Sequence, residues 1–96
     1  MNSKLPISID VWQTDFDPYG MLENVDWLAR AEKVEDIVQL SHSKVANRVI
    51  DLGYYQDRYT AYVIENSNWE EPVETFKSYE IDAMTEWLYS AISRYA

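Results

Sequence analysis

The sequence predicts an α+β fold: a small antiparallel sheet in the order β-α-β-β-β-α, with two helices packed on one face. Two kinds of pattern predict it. Several segments alternate apolar with polar residues or are rich in β-branched and aromatic residues, as strands are. Two other segments repeat apolar residues every three or four positions, as helices do. A length of 96 residues and a hydrophobic content of 47% fit a single domain, residues 1–96, with one core.

The first predicted element is a half-buried strand over residues 6–13. Ile7, Ile9 and Val11 fall on one side of this segment, and Trp12 falls with polar residues on the other. The alternation predicts that the isoleucine side faces the core and that Trp12 faces away from it.

A turn and a helix are predicted next. Residues 17–20, Asp-Pro-Tyr-Gly, place aspartate, proline and glycine at the positions that a type I turn favours. In residues 23–40, apolar residues recur at intervals of four, three and four, at Trp27, Ala31, Val34 and Val38. That spacing puts them on one face and predicts a helix over the segment.

The segment 45–55 leaves two structures open. Val45, Val49 and Leu52 would suit a helix ended by Gly53, but the alternating apolar residues from Ile50 onward favour a strand. We therefore predict a strand here. Gln-Asp at positions 56 and 57 then separates it from residues 58–65, the segment with the strongest strand composition in the chain.

A short edge strand and a closing helix are predicted after the polar connection 66–72. Residues 73–77 carry charge and follow Pro72, features typical of an exposed sheet edge. Ser78 is a suitable cap for the closing helix. Its apolar residues fall on one stripe: Ile81, Met84, Leu88, Ala91, Ile92 and Tyr95.

The charge balance limits the choice of partner. Seventeen acidic against eight basic residues give a net charge of −9 and a pI near 4.3, and the basic residues are dispersed. Nucleic acids and anionic membranes are normally bound by a basic patch, so we expect neither and favour a basic protein partner. The chain has no cysteine, no apolar run of membrane-spanning length and no hydrophobic signal core, which together predict a cytoplasmic protein.

Two short patterns resemble catalytic or metal sites. His42 lies between two serines, but neighbours in sequence seldom form a nucleophile pair, so a loop or helix-end histidine is the favoured interpretation. The segment 15–26 has acids at positions one, three, nine and twelve of a calcium loop, yet Tyr19 and Asp26 replace two of the usual ligands. A turn is favoured, with calcium as the alternative. We expect no cofactor, no metal and no enzymatic activity.

The acidic residues fall into two blocks. Residues 10–36 hold eight acids and residues 65–86 hold seven, and the blocks could merge into one surface if the closing helix packs beside the first helix. In the second block, Trp69 precedes two glutamates, a combination typical of a protein-binding hot spot, although the indole could equally fold over the sheet edge. The predicted partner-binding residues are Trp69, Glu70, Glu71, Glu74, Asp15, Asp17, Glu23 and Asp26.

These features favour a small inhibitor that occupies the basic, nucleic-acid-binding surface of a protein such as a nuclease or a nucleic-acid-guided complex. Its carboxylates would stand where phosphates bind. In size and acidity alone, with no shared motif, the chain resembles phage-encoded anti-CRISPR proteins and toxin immunity proteins. The alternative is a structural or regulatory interaction module, with a homodimer among its forms, that does not mimic nucleic acid.

Overall fold

The computed structural model describes residues 10–21 and 26–96. Within them, five antiparallel strands form one sheet in the order β1-β2-β3-β4-β5. The elements are β1 (Trp12–Phe16), α1 (Trp27–Arg30), β2 (Val38–His42), β3 (Val49–Tyr55), β4 (Arg58–Ile64), β5 (Glu74–Ser78) and α2 (Ile81–Arg94). The α+β class is confirmed, with one strand more than the sequence predicted.

The core lies between one face of the sheet and α2. Each central strand turns alternate apolar side chains towards the helix, as its two-residue period requires. The buried residues of α2 are Met84, Leu88, Ala91 and Ile92, and those of the strands include Val38, Leu40, Ile50, Leu52, Ala61 and Val63. The predicted apolar stripe of the closing helix is confirmed at its buried positions.

The start of the closing helix differs from the prediction. Ser78 is the last residue of β5, and its Oγ accepts the backbone N–H of Glu80 at 3.0 Å, outside the helix. Glu80 occupies the N-cap position, and no side chain there bonds to the helix. Ser78 therefore shapes the turn between strand and helix instead of capping α2.

The predicted helix over residues 23–40 is wrong for most of its length. Residues 22–25 lie outside the described residues, and α1 covers only Trp27–Arg30 before the backbone becomes extended at Ala31. Residues Val38–His42 form β2, in which Leu40 aligns with Ile50 of β3. Apolar residues near the end of this segment satisfy a strand alternation as well as a helical spacing. Pairing with β3 supplies backbone hydrogen bonds along the strand, and this tertiary pairing overrides the local pattern.

In the part of the chain that the structure describes, the first strand begins at Trp12, and this tryptophan faces inward. Of the predicted strand 6–13, residues 6–9 lie outside the described residues, and β1 covers Trp12–Phe16. Trp12 is only 6% exposed, and its Nε1 donates a hydrogen bond to the carbonyl of Ile92 at 3.0 Å. That carbonyl belongs to the last turn of α2, where it lacks a helical partner. The indole therefore buries its ring and satisfies its one polar atom together.

The predicted strands on the C-terminal side are confirmed, with shifted bounds. The segment 45–55 is a strand from Val49 onward, while residues 43–48 form a bend and turn. Gln56 and Asp57 have φ values of 49° and 71°, as a tight type I′ hairpin between β3 and β4 requires. β5 pairs only with β4 and lies at the edge of the sheet, as predicted.

Candidate protein-binding surfaces

The two predicted acidic blocks begin at opposite edges of the sheet. The helices do pack together, since Trp27 Nε1 donates to the Tyr89 hydroxyl at 3.1 Å. However, Asp15 lies in β1 and Glu74 in β5, the two edge strands of the five-stranded order. Four strand spacings of about 4.8 Å separate these edges by roughly 19 Å. The strands therefore hold these two acids at opposite edges of the sheet.

The connection between β4 and β5 displays the predicted hot spot. Asn66 and Ser67 adopt left-handed backbone conformations with φ values of 58°, and the N–H of Asn68 returns to the carbonyl of Glu65 at 3.1 Å. These turns reverse the chain within the connection, which rejoins β4 where the N–H of Val73 bonds to the carbonyl of Val63 at 2.8 Å. Trp69 at its tip is 50% exposed, so its indole is only partly packed against the protein.

Glu70 and Glu71 follow Trp69, and both are exposed. The ion pairs of the described residues join Arg30 with Asp26, Arg48 with Glu65 and Arg94 with Glu74, and neither of these two loop glutamates takes part in them. Their carboxylates are therefore available to an external cation, beside an aromatic ring of large contact area.

Glu74 differs from its loop neighbours because its carboxylate is held inside the fold. It accepts hydrogen bonds from Arg94 at 2.7 and 3.0 Å, from Tyr95 Oη at 2.7 Å and from Trp87 Nε1 at 2.8 Å. These bonds, those from Arg94 above all, lower the pKa of Glu74 to about 2. Glu74 therefore joins β5 to α2. The sequence signal was its alternation with the half-buried Phe76, which places both on the helix side of the strand.

The first block is divided among different environments. Asp15 is exposed in β1, where the pairing with β2 shifts between Thr14 and Phe16. Asp17 Oδ1 accepts the backbone N–H of Met21 at 2.8 Å, so this carboxylate stabilises the predicted turn. Asp26 is exposed, and its Oδ1 atom lies 3.6 Å from Nη1 of Arg30.

The calcium alternative depends on the same segment. Glu23 lies outside the described residues, so the structure describes the predicted loop only in part. Across residues 10–21 and 26–96, no group of three or more acidic or histidine side chains could hold a metal ion. Asp15 lies in strand β1, and Asp17 Oδ1 accepts a hydrogen bond within the turn that follows it. The described part of the segment is therefore strand followed by turn.

His42 ends β2 and acts as a structural acceptor. Its Nδ1 accepts the backbone N–H groups of Lys44 and Val45 at 3.0 and 2.9 Å, and its ring lies edge-on to Trp12 at 5.0 Å. Ser43 Oγ donates to the carbonyl of Val11 at 2.8 Å. The Ser43 hydroxyl and the Nδ1 atom of His42 are thus each engaged with the backbone, while the buried Nε2 atom has no hydrogen-bond partner among the described residues.

Sequence reasoning missed a carboxylate in the middle of the sheet. Asp51 lies in β3 and points to the open face, which we define as the face of the sheet opposite α2. It is 8% exposed, between Gln39 of β2 and Tyr62 of β4 in the strand register. Burial, together with the charge of Asp36, raises the pKa of Asp51 to about 6. The sequence did contain a signal for this carboxylate, because Asp51 stands between two aliphatic residues, Ile50 and Leu52, in a predicted strand.

Gly53 allows the chain to fold over this open face. A Cβ atom at Gly53 would overlap the carbonyl oxygen of Glu35 and come within 2.9 Å of the Tyr55 ring. The backbone of residues 34–37 pairs with β3 on either side of this point, through Tyr54 N–H to the Val34 carbonyl at 2.8 Å and Ile37 N–H to the Leu52 carbonyl at 3.0 Å. Glycine is needed here for close approach, and it brings the acidic segment containing Asp36 near Asp51.

No helix among the described residues is long and apolar enough to cross a membrane. Comparison of the chain with protein-family models, with curated proteins and with solved structures gives no match, so the assignment of function depends on the residues themselves.

Proposed function

We propose that this protein is a small acidic inhibitor that binds a basic protein partner and occupies the surface with which that partner binds nucleic acid. In this proposal it has no enzymatic activity of its own and acts in the cytoplasm. The partner's chemical class is a nuclease or a nucleic-acid-guided complex, whose phosphate-binding cations would meet carboxylates instead.

The observation that carries the proposal is the exposed sequence Trp69-Glu70-Glu71 at the tip of the β4–β5 connection. Its two carboxylates have no ion-pair partner among the described residues, and its indole is half exposed. Tryptophan is enriched among interface hot spots, and unpaired carboxylates beside it can attract a basic partner. The net charge of −9 supports the same partner class, because it attracts basic proteins over long range.

The two parts of this surface have different roles. The charges of Glu70 and Glu71 steer the encounter, and their contribution falls as salt screens them. Trp69 acts after encounter by burying apolar area, so its loss raises the dissociation rate. Glu74 is excluded from the contact surface, because its carboxylate is already bonded to α2.

The test begins with affinity capture of the partner from the source cell, followed by binding kinetics at two salt concentrations. The variant carries Glu70→Gln and Glu71→Gln together. Its matched control carries Glu32→Gln and Asp57→Asn, the same change of charge on exposed residues away from the loop. We expect the loop variant to lose affinity and salt dependence, and Trp69→Ala to shorten the lifetime of the complex.

Competition with nucleic acid separates the proposal from its alternative. A mimic must displace the nucleic acid bound by the captured partner, and loss of Glu70 and Glu71 must weaken that displacement. Binding that tolerates both the loop variant and high salt, without displacing nucleic acid, would indicate an apolar interaction module. A homodimer as the only species formed would do the same.

A further inference from the structure

Asp51 is largely buried, its carboxylate oxygens keep a small contact with solvent, and none of the described residues pairs with them. It sits in the central strand β3 and is 8% exposed, yet no hydrogen bond or ion pair joins it to any of the described residues. Removing a carboxylate from water without pairing it is unfavourable, and buried acids are therefore normally paired. A carboxylate kept in this state is a candidate for a contact that is completed from outside.

The charged and aromatic groups around Asp51 on the open face are two acids, Asp36 and Glu35, and two tyrosines, Tyr55 and Tyr62, with the neutral Gln39 beside it in β2. The negative charge of Asp36 helps to raise the pKa of Asp51. The pKa of Tyr55 is raised by burial and, in order of decreasing effect, by Asp51, Asp36, Tyr62 and Glu35. Burial and the neighbouring negative charges raise the pKa of Tyr55 to about 12, so its hydroxyl keeps its proton at neutral pH. The cluster is thus negatively charged and bordered by two aromatic rings.

Several of the chain's cations around this face have other contacts, and Lys33, in the segment that carries Glu35 and Asp36, lies over the Tyr54 ring at 5.5 Å. Arg48 bonds to Glu65 Oε2 at 2.7 Å and to the carbonyl of Tyr95 at 2.8 Å. Arg58 lies over the Tyr79 ring at 5.7 Å. Lys77 is exposed on edge strand β5, in register with Thr60 and not with the row that contains Asp51. None of these cations counters the rise in the pKa of Asp51.

Building on the proposed binding of a basic partner, we propose that the open face at Asp51 receives an arginine side chain of that partner. The guanidinium group would bond to the Asp51 carboxylate and lie against the rings of Tyr55 and Tyr62. Arginine fits better than lysine because its planar group donates in a fork to a carboxylate and also stacks on aromatic faces. The acids of Asp36 and Glu35 add attraction for the same cation.

This subsite is separate from the Trp69-Glu70-Glu71 tip. The tip belongs to the β4–β5 connection, whereas Asp51 lies in the middle of β3 and Glu35 folds over Gly53 towards the β3–β4 hairpin. A partner that engages both would span much of the open face.

The experiment is a residue-resolved NMR titration of the whole protein with a tetra-arginine peptide at physiological salt, with a tetra-lysine peptide as the comparison. We expect the side-chain carboxyl signal of Asp51 and the amide signals of Tyr55 and Tyr62 to shift. A bound cation favours the charged carboxylate, so the arginine peptide should lower the pKa of Asp51. Asp51→Asn should weaken peptide binding about tenfold, as loss of a hydrogen bond between charged groups does. Asp57→Asn, an exposed hairpin acid, is the control.

The outcomes separate this inference from the function on which it builds. Shifts at residues 69–71 without a shift at Asp51 would overturn the arginine subsite and leave the proposed function standing. Shifts at the Tyr55 and Tyr62 amides that disappear in Asp51→Asn would support the subsite even if residues 69–71 show no shift. Equal effects of the lysine peptide, or unchanged binding by Asp51→Asn, would overturn the assignment to arginine.

Discussion

Glu74 and Asp51 are carboxylates of the same sheet, one on edge strand β5 and the other in central strand β3. Glu74 accepts bonds from three side chains of the C-terminal segment, and its pKa falls to about 2. Asp51 is more deeply buried, has no such donors, and has a pKa near 6. The difference lies in the neighbours and not in the residue type. A carboxylate on the face covered by α2 meets donors, whereas one on the open face meets tyrosines and other acids.

This comparison separates a carboxylate that stabilises the fold from one that destabilises it. Hydrogen bonds to the charged form offset the desolvation of Glu74, so its ionisation favours folding. Nothing among the described residues offsets the desolvation of Asp51, so its ionisation opposes folding. A residue that opposes folding and is nevertheless present is a reasonable candidate for function, because active and binding sites often reduce stability.

The largest expected effect on the unfolding free energy is that of Gly53→Ala, which displaces the segment that lies over the sheet near Asp51. The added methyl would collide with the carbonyl of Glu35, a backbone atom that cannot turn aside, and the variant should lose about 3 kcal/mol of unfolding free energy. The measurement is equilibrium unfolding in urea.

Gly20 provides the matched control for that substitution. Its φ of 72° makes alanine strained there for a different reason, the backbone conformation itself, so Gly20→Ala should lose about 1 kcal/mol. Equal losses at the two glycines would mean that the segment around Glu35 is not packed on Gly53.

The next largest effect is that of Glu74→Gln. An amide of the same shape keeps some of the bonds but loses the charge that Arg94 recognises, and Glu74 is partly exposed, so we expect a loss of about 2 kcal/mol at pH 7. The pKa of Glu74 in the folded protein is below its usual value of 4.5, so its contribution is present above that pH. It is lost as the pH falls towards about 2. Urea unfolding at several pH values checks both points, and Glu71→Gln should show neither.

Asp51→Asn should have the opposite sign. The folded protein holds the Asp51 proton up to a pKa of about 6, against 3.8 for an ordinary aspartate, so ionisation destabilises the fold as the pH rises through that interval. The neutral amide avoids this loss, and the variant should be about 1 to 2 kcal/mol more stable than the parent at pH 7. The advantage should vanish below pH 4. A variant less stable than the parent at pH 7 would reveal an internal partner of Asp51.

The sequence predicted the elements whose patterns are local. Strand β4 and the hairpin at Gln56 and Asp57 carry their own signals, and the apolar stripe of α2 needs only its own spacing. The segment Val38–His42 was mistaken for helix because its structure comes from pairing with β3, which no local pattern contains. Glycine at position 53 suggested a helix end. The structure shows that glycine is needed there because the backbone of Glu35, 18 residues earlier in the chain, leaves no room for a Cβ atom.

The candidate site was predictable to a smaller extent. The exposure of Trp69, Glu70 and Glu71 follows from a polar connection rich in turn residues. The role of Glu74 did not follow, since its donors lie 13, 20 and 21 residues further along the chain and meet it only when α2 folds back. Asp51 was overlooked because its neighbours come from three other segments, and charge counted along the sequence does not reveal burial.

The smallest expected effect on stability is that of the double variant Glu70→Gln with Glu71→Gln, and it completes the comparison. These carboxylates are neither bonded like Glu74 nor buried like Asp51, so their loss should change the unfolding free energy by less than about 0.5 kcal/mol. Thermal and urea unfolding at low and high salt provide the check. A gain in stability confined to low salt would reflect relief of repulsion in a chain of net charge −9. A loss above 1 kcal/mol would mean that the loop supports the fold, and any effect of this variant on partner binding could then no longer be assigned to direct contact.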